Sequence, residues 1–373
     1  MKNARRKRLC IMIPGHWSQI MGGSQYQAKC LIEELRKMDR YDIFYLTRGC
    51  DPNYTPDGYR LIHYGYPGAG MRGSHRHLFE LILLPRLLKR IDPDVIYQRV
   101  GCAQTGIAAR YALKNRCRMI WHIAHEHDLE PPRISASRLF VYKQLDRYML
   151  NYGIKHASHI IAQTWDQRRL LERNFGRKAS VVIPNFHPAP TEVISKNKPV
   201  QVVWVANLKP LKQPEIFMRL AAELQHLNRA RFLMVGAIQG NTIQKRKYME
   251  FMNSVPGLTY LGPRSQKEVN ELLAESHIFV NTSDREGFPN TFIQAWFRRV
   301  PVVSLTVNPD RLIERYRLGF VSGSFERLKT DVASLIEDDD LRSRLGMNAQ
   351  SFALEYFSTR NADKIVRLFE QVP

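Results

Sequence analysis

The segment Val280-Asn281-Thr282-Ser283-Asp284-Arg285-Glu286-Gly287-Phe288-Pro289-Asn290-Thr291-Phe292-Ile293-Gln294-Ala295-Trp296 reads as the end of a strand, a tight loop and the start of a helix. Ile278-Phe279-Val280 is a short apolar run suited to a buried strand. Gly287 permits a backbone conformation closed to other residues, and Pro289 suits a first helical turn because it needs no amide partner. The free N–H groups of such a helix start attract phosphate. Glu286 in the loop and Gln294 two turns later accept hydrogen bonds from hydroxyls. A ligand with phosphate at one end and hydroxyls on both sides fits, as a nucleotide sugar does. An ordinary buried strand-loop-helix corner is the alternative.

Strand-like and helix-like runs alternate on both sides of this segment. Toward the N-terminus of the same half lie strand Gln201 to Ala206, helix Pro214 to Leu227, strand Arg231 to Val235, helix Ile243 to Met252, strand Leu258 to Leu261 and helix Gln266 to Glu275. Helix Thr291 to Arg298 and strand Pro301 to Leu305 continue the series, and helices Glu326 to Ile336, Leu341 to Tyr356 and Asn361 to Phe369 end it. The first half repeats the pattern. Strand Leu9 to Ile13 leads through a loop with Gly15, Gly22 and Gly23 into helix Gln25 to Met38, whose Ala28, Leu31, Ile32 and Leu35 share one face. Strands follow at Tyr41 to Leu46, Val95 to Gln98, Met119 to Ala124, His159 to Gln163 and Ser180 to Ile183. Between them run helices His77 to Lys89, bent or interrupted at Pro85, Ala103 to Lys114, Arg138 to His156 and Trp165 to Phe175. This alternation predicts two α/β halves with parallel sheets and right-handed crossovers. Residues 49–73, rich in Gly, Pro, Tyr and Asp, show no period. Pro184-Asn185-Phe186-His187-Pro188 and the polar stretch after it read as a linker.

Three histidines, His122, His125 and His127, surround the end of the strand Met119 to Ala124. Ligands in open parallel sheets collect at the carboxyl ends of strands, so this group is a functional candidate. A metal is disfavoured, because alternate strand residues face opposite ways and no thiolate or fourth ligand is near. No Asp-x-Asp pair stands at a suitable strand end either.

Composition bounds the function. The 373 residues suffice for about two domains. No run approaches the roughly 20 apolar residues of a membrane span, and the basic start enters a short strand rather than a long apolar region, so the expected location is cytoplasmic. Five scattered cysteines argue against a disulfide framework or a zinc site. The formal net charge is +21, and it is uneven: residues 1–188 hold 31 basic and 15 acidic residues against 25 and 20 in the remainder. Such a basic half suggests an anionic partner, either phospholipid headgroups on the inner face of a membrane or a lipid-linked diphosphate acceptor, with a merely solvated basic face as the alternative. Nucleic acid is not expected, since the cations are dispersed and no aromatic-interleaved RNA module or zinc finger is present.

The run Glu286-Gly287-Phe288-Pro289-Asn290, with Gln294 eight positions after the glutamate and then Ala295, resembles the donor-site motif of the retaining glycosyltransferases of the GT-B fold, family 4 (group 1). That resemblance implies the α/β GT-B architecture, two Rossmann-like domains facing a central cleft: an acceptor-binding domain over residues 1–188, a linker at 189–199, a nucleotide-sugar domain at 200–356, and a C-terminal helix, 357–373, crossing back to the first. It implies further that Glu286 contacts the donor sugar and that the loop from Gly287 through Phe288, Pro289 and Asn290 to Thr291 holds the diphosphate. Gln294 stands where the family's second glutamate binds ribose. Gly22 and Gly23 match a Gly-Gly that faces the diphosphate, and His125 matches a histidine close to the donor sugar. Lys212 matches a phosphate-neutralising lysine; the arginine that usually precedes it is Asn207, with Lys209 close by as a substitute charge. Arg264, in Gly262-Pro263-Arg264, falls where the family contacts the base.

The expectation is therefore a retaining, metal-independent hexosyltransferase that needs no cofactor and moves a sugar from a nucleotide sugar to a glycan or lipid-linked acceptor. The departures at Asn207 and Gln294 keep open a catalytically weak nucleotide-sugar-binding protein. A nucleotide-sugar epimerase or a phosphorylase of the same architecture is the further alternative.

Overall fold

The computed structural model describes residues 5–19, 21–65, 75–130, 140–191 and 193–371. The chain divides into two compact units, Met1–Phe186 with Thr359–Pro373, and His187–Ser358.

Unit 1 is a seven-stranded parallel sheet. Its strands are β1 (Lys7–Met12), β2 (Tyr41–Thr47), β3 (Arg60–His63), β4 (Val95–Arg99), β5 (Arg118–His122), β6 (His159–Ala162) and β7 (Val181–Val182), in the order β3-β2-β1-β4-β5-β6-β7. The crossovers carry α1 (Gly23–Met38), α2 (His75–Ile91), α3 (Ala103–Lys114), α4 (Phe140–His156) and α5 (Trp165–Phe175). Strands buried on both faces read as continuous apolar runs, and β1 does so from Leu9 onward. Core residues of α2, α3 and α4 cover one face of the sheet and those of α1 the other. Helices α3 and α4 meet backbone to backbone: a Cβ on Gly106 would lie 2.1 Å from the Met149 carbonyl oxygen, and one on Gly153 would lie 2.6 Å from the Thr105 carbonyl carbon.

Unit 2 is a six-stranded parallel sheet of β8 (Val200–Val205), β9 (Ala230–Val235), β10 (Leu258–Tyr260), β11 (Ile278–Asn281), β12 (Val302–Ser304) and β13 (Gly319–Val321), ordered β10-β9-β8-β11-β12-β13. Its helices are α6 (Pro214–Leu224), α7 (Thr242–Ser254), α8 (Gln266–Glu275), α9 (Asn290–Phe297), α10 (Leu312–Arg315), α11 (Phe325–Glu337) and α12 (Asp339–Tyr356). The last helix, α13 (Arg360–Glu370), belongs to unit 1. Its Ala362, Ile365, Val366, Leu368 and Phe369 enter the core on the α1 face. The C-terminal carbonyls of α13 are met by cations, as the helix dipole favours: Lys7 Nζ donates to Phe369 O at 3.2 Å, and Arg118 Nη1 to Leu368 O at 3.0 Å.

Several boundaries differ from the sequence expectation. The aperiodic stretch contains β3, a four-residue edge strand whose exposed and half-buried side chains give no alternating signal. Strand β13 was not expected; it follows a tight turn in which Arg317 has positive φ, and its own first residue, Gly319, has positive φ as well. Helix α2 runs through Pro85 without interruption. Helix α6 stops at Leu224, because a turn closes when Leu227 N donates to Leu224 O. The start expected for α4 at Arg138 lies outside the described residues.

Both sheets reverse strand order once, between β1 and β4 in unit 1 and between β8 and β11 in unit 2. At such a point the two neighbouring crossovers leave in opposite directions and open a crevice at the carboxyl ends of the strands. In unit 2 that point is where β8 runs into residues 206–213 and β11 into residues 282–289.

Candidate functional site

In unit 2 the two loops of the strand-order reversal are tied together. After β8, Lys209 precedes a short 3-10 turn, Pro210–Lys212, which Gln213 ends in a left-handed conformation. Asp284 N donates to Leu211 O at 3.0 Å. The Thr282 hydroxyl donates to the Lys212 carbonyl at 2.7 Å and accepts from the Trp204 indole N–H at 2.9 Å. The Lys212 ammonium then reaches Glu286, with Nζ to Oε1 at 2.6 Å and both side chains 16% exposed. Asn281 Nδ2 and Ser283 Oγ also donate to Glu286 Oε1, at 3.2 and 2.7 Å. Burial favours the neutral acid, but the Lys212 charge and these donors outweigh it and hold the carboxyl below its ordinary range. The result is an anionic carboxylate beside a cation at the carboxyl edge of the sheet, a pairing able to accept hydrogen bonds from hydroxyls and to attract an anion.

Two expectations about this loop are corrected. Pro289 precedes the helix rather than starting it: its φ of −66° and ψ of 117° are extended, and α9 begins at Asn290. The ring fixes only φ, which suits either place. Among the described residues, the glycines of unit 2 with positive φ are Gly236, Gly240, Gly257, Gly262, Gly319 and Gly323, so Gly287 is not left-handed; the chain bends at Gly287 and Phe288 without that conformation. The Phe288 ring is buried and packs on Phe357 and Trp296, with centroids 5.0 and 6.3 Å away. Asn290 Oδ1 lies 3.3 Å from His187 Nε2. Thr291 follows in the first turn of α9.

Gln294 is 2% exposed, and its amide nitrogen donates to Gln266 Oε1 at 2.9 Å and Asn270 Oδ1 at 2.7 Å, both on α8. Asn207 is exposed, and its Oδ1 accepts from Ala237 N at 3.4 Å. Arg264 is exposed and lies 3.7 Å from Glu268, one turn along α8. Lys212 and Glu286 are thus brought together, while Gln294, Asn207 and Arg264 engage other partners within the unit.

The remaining candidates belong to unit 1. Gly22 precedes α1 in extended conformation and, being glycine, offers no side chain of its own to cap it. Among the histidines, His122 lies within β5 and is 1% exposed, with Nδ1 2.7 Å from the Tyr97 hydroxyl; burial, with Arg99 nearby, keeps its ring neutral. His125 follows the strand and stacks on His127, centroids 4.6 Å apart. The buried Asp128 accepts from Ala124 N and His125 N at 3.1 and 3.2 Å, fixing the backbone at His125. Sequence reasoning missed Asp128, although an acid three residues after a helix-preceding position is a capping signal. It also missed Trp204, Asn281, Thr282 and Ser283, whose partners lie in another loop or beyond a turn. Among the described residues no three His, Cys, Asp or Glu side chains converge as a metal site requires, and no helix is long and apolar enough to cross a membrane.

Comparison with known proteins accounts for both units. Residues 21–188 match the model of Glycosyltransferase Family 4, and residues 199–338 that of Glycosyl transferases group 1. The chain belongs to the group 1, family 4 glycosyltransferases. Among curated members, the N,N'-diacetylbacillosaminyl-diphospho-undecaprenol alpha-1,3-N-acetylgalactosaminyltransferase of Campylobacter jejuni is 30% identical over 250 residues, 63% of this chain and 60% of that protein. The capsular polysaccharide biosynthesis glycosyltransferase CapM of Staphylococcus aureus is 26% identical over 35% of this chain and 34% of its own length. The chain thus matches less than two thirds of the length of these relatives. Solved structures extend the likeness of fold to nearly the whole chain. Anabaena Alr3699/HepE, in complex with UDP and glucose, superposes with a TM-score of 0.77 at 17% identity, covering 98% of this chain and all of that one. WaaG, a glycosyltransferase involved in lipopolysaccharide biosynthesis, gives 0.76 at 12%, with the same coverage. The expected GT-B class, two parallel α/β units with alternating helices, is the fold of this family member.

Proposed function

We propose that the chain transfers a sugar from a nucleotide-sugar donor to a glycan or lipid-linked acceptor, with retention of anomeric configuration and without a metal ion. The observation that carries this reading is the contact of Lys212 with Glu286 where unit 2 reverses its strand order. Departure of a nucleoside diphosphate builds negative charge on the leaving oxygen, and Lys212, Lys209 and the loop amides from Gly287 to Thr291 supply positive potential there. Glu286 accepts hydrogen bonds from the donor sugar and orients it; it is not assigned as a nucleophile. The acceptor hydroxyl attacks the anomeric carbon on the face that the diphosphate leaves. The same reading assigns His125 to the sugar and Gly22, Gly23 and Asn207 to the diphosphate, while Arg264 and Gln294 serve the nucleoside end. Relatives support the acceptor class: one is named for a diphospho-undecaprenol substrate and another for capsular polysaccharide biosynthesis.

The excess of cations in the first 188 residues supports a reading in which this chemistry runs at an anionic membrane face. On α2 the exposed residues Ile82, Arg86, Lys89 and Arg90 combine an apolar side chain with three cations.

To test the reading, UDP, GDP and ADP sugars are incubated with the protein, with and without polyprenyl-diphosphate-linked glycans. Release of nucleoside diphosphate that depends on the acceptor is expected. A second reading, a nucleotide-sugar-binding protein without turnover, is favoured by the engagement of the Gln294 amide with Gln266 and Asn270. Donor binding with no product on any acceptor supports it, and absence of donor binding contradicts both.

A further inference from the structure

Asn281, Thr282 and Ser283 are all buried, and they alternate in what they hold. Thr282 faces the Lys212 loop, with its hydroxyl on the Lys212 carbonyl. Asn281 and Ser283 face Glu286, and both donate to Oε1, the oxygen that also receives Lys212 Nζ. One carboxylate oxygen is thus saturated by three protein donors. Asn281 Nδ2 also approaches Ser283 Oγ at 3.3 Å, and Ser283 N donates to Asn281 Oδ1 at 3.2 Å, which fixes the two side chains relative to each other.

We propose that Ser283, with Asn281 as the second donor, is a positioning residue that keeps Glu286 ionised and aimed at the donor sugar once Lys212 has turned to the diphosphate. This rests on the reading above, in which Lys212 serves the phosphate and Glu286 the sugar. The physical need is specific. Among the described residues the charged group in contact with Glu286 is Lys212; Asp284 and Arg285 of the same loop are exposed and lie 3.7 Å from each other. When Lys212 shifts to phosphate, burial alone would drive the carboxyl toward its neutral form, which accepts poorly from sugar hydroxyls. A hydroxyl donor to a carboxylate is a charge-assisted bond that opposes this without competing for the phosphate.

The test is the pH profile of kcat at saturating donor for the parent, Ser283→Ala, Ser283→Thr and Glu286→Gln. Removing a donor to the charged form raises the carboxyl pKa, so activity is lost at a higher pH. The acid limb of Ser283→Ala is expected to move up by about one pH unit, with donor KM within about twofold of the parent. Ser283→Thr, which keeps the hydroxyl, restores the limb. An unmoved limb in folded Ser283→Ala, with Glu286→Gln inactive, overturns the inference and leaves the functional reading standing. Parental turnover by Glu286→Gln overturns both. Should Ser283→Ala not fold, Asn281→Ala carries the same expectation with a smaller shift and is refuted by the same result.

Discussion

Lys212 and Glu286 are each partly buried and share one hydrogen bond, so replacing either leaves a charge in a poorly solvated place and removes one end of the donor contact. Lys212→Ala and Glu286→Ala are each expected to lower kcat/KM by about 10²- to 10³-fold while circular dichroism stays at the parental spectrum, the scale seen when one charge-stabilising group is removed. A second expectation concerns stability. Because the folded carboxyl of Glu286 sits below its ordinary value, its contribution is present above the unfolded glutamate pKa, about 4.3, and is lost as pH falls through the folded value. Urea denaturation across that window should show a shallower loss for Lys212→Met than for the parent; identical slopes contradict the assigned partner. Both members of the pair were legible in the sequence, because each sits in a motif with a chemical reason for its type. Their supports were not. Trp204 and Thr282 acquire their roles from where two loops meet, which no spacing along the chain encodes, and Ser283 reaches Glu286 only through the local fold of one loop. Gln294 shows the converse: position marked it, but its donated hydrogen bonds to Gln266 and Asn270 emerge only from the packing of α9 beside α8.

Among the elements, the alternation of apolar runs and helical periods identified nearly every long helix and buried strand, because burial on both faces leaves an unbroken apolar signature. Short pieces escaped: β3 lies at a sheet edge with no buried residue, and β13 has three residues. Close backbone approaches were equally illegible. Gly236, at the end of β9, has φ +145°, and a Cβ there would fall 1.7 Å from the Ala206 carbonyl oxygen, beside the loop that carries Lys209 and Lys212. Gly236→Ala is therefore expected to destabilise unit 2 by about 3 kcal/mol or more and to weaken donor binding, read by thermal melting and titration. Parental melting would contradict the close approach. Removal of residues 359–373 strips α13 from the core of unit 1 and leaves Lys7 and Arg118 without their carbonyl partners. The truncated chain should melt well below the parent.

At the scale of the whole molecule, the uneven charge is the feature that composition alone revealed, 31 basic against 15 acidic residues in the first 188. Binding to vesicles containing anionic phospholipid is expected at low salt and should fall steeply as ionic strength rises, since headgroup attraction is screened within a Debye length. Sedimentation with vesicles measures it. Reversal of charge at Arg86, Lys89 and Arg90 together should reduce it, and equal binding to neutral vesicles contradicts the electrostatic account. If unit 2 grips a nucleotide sugar through Lys212 and Glu286, calorimetric titration with UDP, GDP and ADP sugars will register it. One donor class is predicted to bind the parent, with affinity at least about tenfold weaker in Lys212→Ala. Binding of no donor by the folded parent, or equal affinity in parent, Lys212→Ala and Glu286→Ala, would contradict it.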